Sequence, residues 1–136
     1  MYYKNYLCNK FGRVENLKTN ISKSSPLKKN HVRLKILSIG LSYVDLLMIK
    51  GTYQHKNELP FIPGTEACGI IIEEKCNNAK LLNKKAIIIS KGGCFSEEIV
   101  IELSKIILIN NKMPSEEAAS FFTSALTSYI TLKEKA

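Results

Sequence analysis

The stretch Gly40-Leu41-Ser42-Tyr43-Val44-Asp45-Leu46-Leu47-Met48-Ile49-Lys50-Gly51-Thr52-Tyr53, followed by Leu59-Pro60-Phe61-Ile62-Pro63-Gly64-Thr65-Glu66-Ala67-Cys68-Gly69-Ile70, decides how the rest of the chain is read. Residues 44–50 form a short apolar helical segment. Gly51 can end it, because a residue without a Cβ enters the left-handed conformation at no steric cost. Pro60 and Pro63 stiffen the connection that follows by fixing φ. Gly64 and Gly69 bracket the next strand, where glycine permits a bend or the close approach of another backbone.

Working outward, residues 32–39 set Val32, Leu34 and Ile36 against Arg33, Lys35 and Ser38, the period of a strand with one buried face. Short β-branched runs recur at 69–73, 86–89, 95–102 and 106–109, separated by Asn, Lys and Gly clusters. Their number and spacing predict a mainly β fold with helices, an irregular β-barrel or sandwich. A second, longer helix begins near Ser115. Ser115 follows Pro114 as a candidate N-cap, and Glu116 and Glu117 lie where the helix dipole favours negative charge. Along this helix Ala118, Phe122, Ala125 and Tyr129 share a face, with Ser120, Ser124, Thr127 and Thr131 beside it. Both stripes could be buried, the hydroxyl stripe either for close helix packing or for ligand contact.

The net charge of +8 raises the question of a nucleic-acid or acidic partner. The positive residues are scattered lysines, and Arg13 and Arg33 are the only arginines. A nucleic-acid surface needs arginine forks, or aromatics interleaved with charge on one face. Neither pattern is present, so solvated lysines are the expected reading. Cys8, Cys68, Cys76 and Cys94 lack the spacing and His neighbours of a tetrahedral metal site and read as reduced thiols. No run approaches the ~20 apolar residues that span a bilayer, which predicts a soluble cytoplasmic protein with no membrane partner.

Taken with Phe11-Gly12, with Gly92-Gly93 leading into Phe95-Ser96-Glu97-Glu98-Ile99-Val100, and with Pro114-Ser115-Glu116-Glu117-Ala118-Ala119, the central stretch resembles the medium-chain dehydrogenase/reductase superfamily. Within it, the similarity is to the zinc-independent NADPH:quinone oxidoreductase branch that includes zeta-crystallin. The resemblance implies a GroES-like irregular β-barrel, and hydride transfer from NADPH to a quinone, enone or enal. Zinc-dependent relatives carry a cysteine at the position of Ser42 and a histidine at that of Thr65, so it also implies no catalytic zinc. Tyr43 and Tyr53 would meet the cofactor, as would Thr127 on the long helix, while Ser42 and Asp45 would lie at the reacting centre. Many relatives place an amide donor at the position of Ser42; serine is shorter and reaches a carbonyl only through water. Two readings stay open for several of these residues. Tyr43 and Tyr53 also suit packing, Thr127 also fills space, and Asp45 also suits capping of the helix that follows it.

Relatives of this kind are more than twice as long and continue into a Rossmann domain with a Gly-rich pyrophosphate turn. No G-x-G-x-x-G occurs here. The expectation is therefore a GroES-like catalytic domain at 1–112 and a helix at 113–136 leading toward a missing nucleotide-binding domain. Three functions are consistent with this: one part of a split oxidoreductase completed by a separately encoded nucleotide-binding chain, a degenerate non-catalytic remnant, or a small basic β-barrel binding nucleic acid or an acidic partner. The turns also depart from the family pattern, with Lys75 and Asn83 where glycines are usual. Asn83 tolerates left-handed geometry, whereas Lys75 suits it poorly.

Overall fold

A computed structural model describes residues 1–135. Strand β1 (Tyr2–Cys8) pairs antiparallel with β2 (Leu17–Lys23) in a two-stranded ribbon. The remaining strands are β3 (His31–Gly40), β4 (Glu66–Glu74), β5 (Lys85–Ile89), β6 (Glu98–Glu102) and β7 (Ile106–Leu108). They make one five-stranded antiparallel sheet in the order β6-β3-β4-β5-β7. Helix α1 (Tyr43–Lys50) joins β3 to β4, and α2 (Ser115–Lys135) follows β7. The expected barrel does not close: β6 and β7 remain the two edges. The ribbon leans on the sheet through single bridges, Asn5 to Ser96 and Cys8 to Phe61.

Two of the sequence expectations shift once pairing is known. The alternation along β3 breaks at Leu37, an extra residue between the Ile36–Gly69 and Ser38–Cys68 pairs, and a second bulge lies opposite Arg33 and Leu34. A bulge leaves one residue unpaired and resets which face follows. Leu37 and Ile39 therefore look outward, and Arg33, expected on the solvent side, is buried. Gly69 does not open its strand. It sits inside β4, where an added Cβ would come within 2.8 Å of the Lys35 carbonyl oxygen. In the turn after β4 the left-handed residue is Asn77 rather than Lys75, so the lysine meets no conflict; Asn83 is left-handed as expected.

Opposite faces of the sheet carry separate cores. Val32, Leu34, Ala67, Ile71, Ala86 and Ile88 pack on one face, and Cys68 and Ile87 meet Ala118 and Ala119 of α2 on the other. This second contact depends on Gly40, whose missing side chain leaves room for the helix. A Cβ there would lie 2.0 Å from the Ala119 carbonyl oxygen. Ser115 is the first residue of α2 rather than its cap; the Pro114 carbonyl takes the first helical bond, from Ala118 N–H at 3.1 Å. Farther along, burial fades on the apolar stripe, where Phe122 and Ala125 are half-buried, and is absent from the hydroxyl stripe. Tyr129 is exposed, and so are Ser120, Ser124, Thr127 and Thr131. Three of these hydroxyls turn back onto the helix, to the carbonyls of Glu116, Thr123 and Thr127.

Candidate functional site

The end of β3 and the start of β4 bring three polar side chains together. Ser42 caps α1 and Asp45 is its third residue, so Asp45 lies one turn inside the helix and not ahead of it. Its carboxylate reaches back to the Ser42 backbone N–H at 2.9 Å and accepts the Ser42 hydroxyl at 3.0 Å. The other carboxylate oxygen accepts the Thr65 hydroxyl at 3.0 Å. Asp45 is only 2% exposed, and no ion pair reaches it among the described residues. Its charge is held by one backbone and two hydroxyl donors, which is how a buried carboxylate remains tolerable without a cation.

Beneath this cluster lies Cys94, fully buried. Burial above all, with the negative charges of Asp45 and Glu66 adding to it, pushes its thiol up to about 12. A thiol so placed resists becoming the thiolate that metals and electrophiles require. Glu66, also buried, directs its carboxylate at α2, accepting the backbone N–H of Phe122 at 2.8 Å and of Thr123 at 3.3 Å. Sequence reasoning did not single out Glu66. The available signal was an acid placed at the head of an otherwise apolar strand.

Ser42 and Thr65 line a cleft of about 280 Å³. Val44 and Met48 of α1 form part of its apolar wall with Ile89 of β5. The segment after α1 contributes Tyr53, His55 and Asn57, the loop after β5 contributes Ser90 and Lys91, and α2 contributes Thr123. Tyr53 and His55 meet edge-on with ring centroids 6.3 Å apart. Of the residues expected at the site, Ser42 and Tyr53 line the cleft, and Asp45 is buried behind it. Tyr43 is 69% exposed and outside its lining. Thr127 lies one turn beyond Thr123 and spends its hydroxyl on the Thr123 carbonyl at 2.7 Å.

Residues 28–111 match the alcohol dehydrogenase GroES-like domain. The chain belongs to that family. The relatives it matches are quinone oxidoreductase-like and VAT-1 proteins of the medium-chain reductases. A quinone oxidoreductase-like protein 2 homolog from Nematostella vectensis is 32% identical over 98% of this GroES-like chain and 37% of its own length. A synaptic vesicle membrane protein VAT-1 homolog from Danio rerio is 26% identical over 96% of the chain and 27% of its own. Among solved structures, Escherichia coli quinone oxidoreductase complexed with NADPH superposes with a TM-score of 0.84 at 21% identity, over 96% of this chain and 40% of that one. The chain thus spans between about a quarter and two fifths of these relatives. Among the described residues no helix is long and apolar enough to cross a membrane.

Proposed function

We propose that this GroES-like domain forms the substrate-side wall of an NADPH-dependent, zinc-independent reductase of quinones, enones or enals. The observation that carries this reading is the closed set of hydrogen bonds among Ser42, Asp45 and Thr65 at the wall of the cleft. Zinc takes thiolate, imidazole and carboxylate ligands. Here the thiol and imidazole positions of the zinc-dependent relatives hold hydroxyls already committed to Asp45, and Cys94 is kept protonated by its burial first and by its acidic neighbours second. This donor set does not fit a catalytic zinc.

NADPH supplies the hydride, and the protein supplies orientation and a shaped, partly dry surface. In this reading Tyr53 meets the nicotinamide in the cleft, with Tyr43 and Thr127 on the surrounding surface that faces the cofactor. Ser42 and Asp45 fix the position of α1 against β4 beside the reacting atoms. Residues 1–112 make up the catalytic unit. Segment 113–136 leads toward the nucleotide-binding part and is anchored to the unit by Ala118, Ala119 and Glu66. In this reading a nucleotide-binding part supplies the glycine-rich phosphate turn, since no G-x-G-x-x-G occurs within residues 1–136. The four free cysteines suit a reducing cytoplasm.

The test is an NADPH titration of the purified chain, alone and mixed with a G-x-G-x-x-G chain encoded beside it. Binding and quinone-dependent NADPH oxidation are expected only in the mixture. Absence of both from the mixture, or tight NADPH binding by the chain alone, would contradict the proposal.

A further inference from the structure

The hydroxyls on the cleft wall have already given their protons away. Ser42 and Thr65 donate to the two oxygens of Asp45, each at 3.0 Å, and Ser90 donates to the Gly92 carbonyl at 2.6 Å. A carboxylate or a backbone carbonyl only accepts, so what these three side chains keep for a ligand is oxygen lone pairs. A carbonyl group finds no donor in them. An amide NH₂ does find acceptors, and two of the three are tied to a single carboxylate.

The charge behind those two hydroxyls acts on the same ligand. Asp45 is 2% exposed, has no ion-pair partner among the described residues, and lies one hydrogen bond behind Ser42 and Thr65. A charge kept out of water is screened far less than one standing in it. Among the residues lining the cleft Lys91 is the only lysine or arginine, and it is exposed, so solvent damps its repulsion of a cation more than the attraction of Asp45. Val44, Met48 and Ile89 add apolar contact. The wall therefore suits a ring that carries both an amide NH₂ and a positive charge.

We propose that this wall seats the carboxamide of the nicotinamide, and that Asp45 makes it hold the oxidised, cationic ring more firmly than the reduced, neutral one. The inference rests on the proposed reductase reading and gives that reading a direction. When a hydride passes with its electron pair from the reduced ring to a carbon of the quinone or enone, the ring is left positive and the acceptor negative, to be neutralised by a proton from water. Asp45 meets the positive charge as it forms. An interaction stronger in the transition state than in the ground state is the kind that raises the rate.

The probes are 1-methylnicotinamide, its neutral 1,4-dihydro form, and the same cation with both amide hydrogens replaced by methyl groups. Each is titrated at millimolar concentration into the isotopically labelled chain and followed by NMR. The backbone amide signals of Ser42, Asp45 and Thr65 are expected to move with 1-methylnicotinamide, with the dihydro form bound about fivefold more weakly and the dimethylamide about threefold to fivefold more weakly. Asp45→Asn is expected to bring the ratio of cation to neutral ring from about five to near one. Thr65→Val should weaken both ring forms by about threefold and leave their ratio in place. The ratio is first read on the unaltered chain, so the test holds if a variant fails to fold. Equal binding of the cationic and neutral rings, or of the dimethylamide and its parent, overturns this inference. So does a wall that ignores all three rings. Each of those results leaves the reductase reading to the NADPH titration of the mixture, where its own failure shows separately.

Discussion

Strand β3 carries a buried polar cluster near each end, and the two are satisfied in different ways. At the start, Arg33 is paired with Glu98, at 2.5 Å, and with Glu73, at 2.7 Å, and it donates to the Ser25 carbonyl at 2.6 Å. At the finish, the Asp45 carboxylate has no cation and is held by hydroxyls and one backbone N–H. The first cluster is charge against charge and faces away from the cleft, with Glu98 as buried as Arg33. The second is neutral apart from one carboxylate and forms a wall of the cleft. Salt bridges lock strands β3, β4 and β6 together, while the hydroxyl cluster sets the position of α1 and leaves the cleft without an extra cation behind it.

The largest expected effect lies in the salt-bridged cluster. Arg33→Met leaves Glu98 buried without its partner and should cost about 3–5 kcal/mol in urea unfolding. Glu73→Gln, at a side chain 53% exposed, should cost less than about 1 kcal/mol. Equal costs for the two would mean that burial does not distinguish them. In the hydroxyl cluster, Asp45→Ala removes a cap and strands two hydroxyls, for about 2 kcal/mol, and Asp45→Asn should recover part of that by keeping one acceptor. Glu66→Ala should cost about 1–2 kcal/mol and show first as faster amide exchange at Phe122 and Thr123. Thr127→Val, which loses only a bond within the helix, should change stability by less than about 0.5 kcal/mol.

Alkaline pH offers a further separation. The Cys94 pKa is raised from 9.0 to about 12 in the folded chain, so its stabilising contribution is complete below pH 9.0 and is lost as pH rises from there toward 12. Cys94→Ala should flatten the alkaline arm of the stability curve, read as the urea midpoint between about pH 8 and pH 11.

Most of the sheet was legible in the sequence because β3 to β7 are built of β-branched runs whose burial drives the pattern. The first two strands were not. In Tyr2–Cys8 exposure alternates, but the inward side chains Tyr3, Asn5 and Leu7 are of mixed polarity, and in Leu17–Lys23 no residue is buried, so neither segment carries an apolar-polar alternation in its sequence. The burial of Arg33 was hidden because the strand is covered on both faces at Val32–Leu34, where Glu73 and Glu98 of the neighbouring strands take its guanidinium, and one-sided alternation does not apply there. At the site, Ser42, Asp45 and Tyr53 were legible through their place around a glycine-terminated helix. Glu66 was not, because its role depends on where α2 docks against β4, and no spacing rule encodes that.

Zinc titration of the purified chain, with the metal content measured after gel filtration, tests most directly whether the Ser42–Asp45–Thr65 wall is closed on itself. The account predicts no stoichiometric zinc retained and no change in the Asp45 or Thr65 environment on adding the metal. One equivalent retained, and lost on Asp45→Ala, would contradict it.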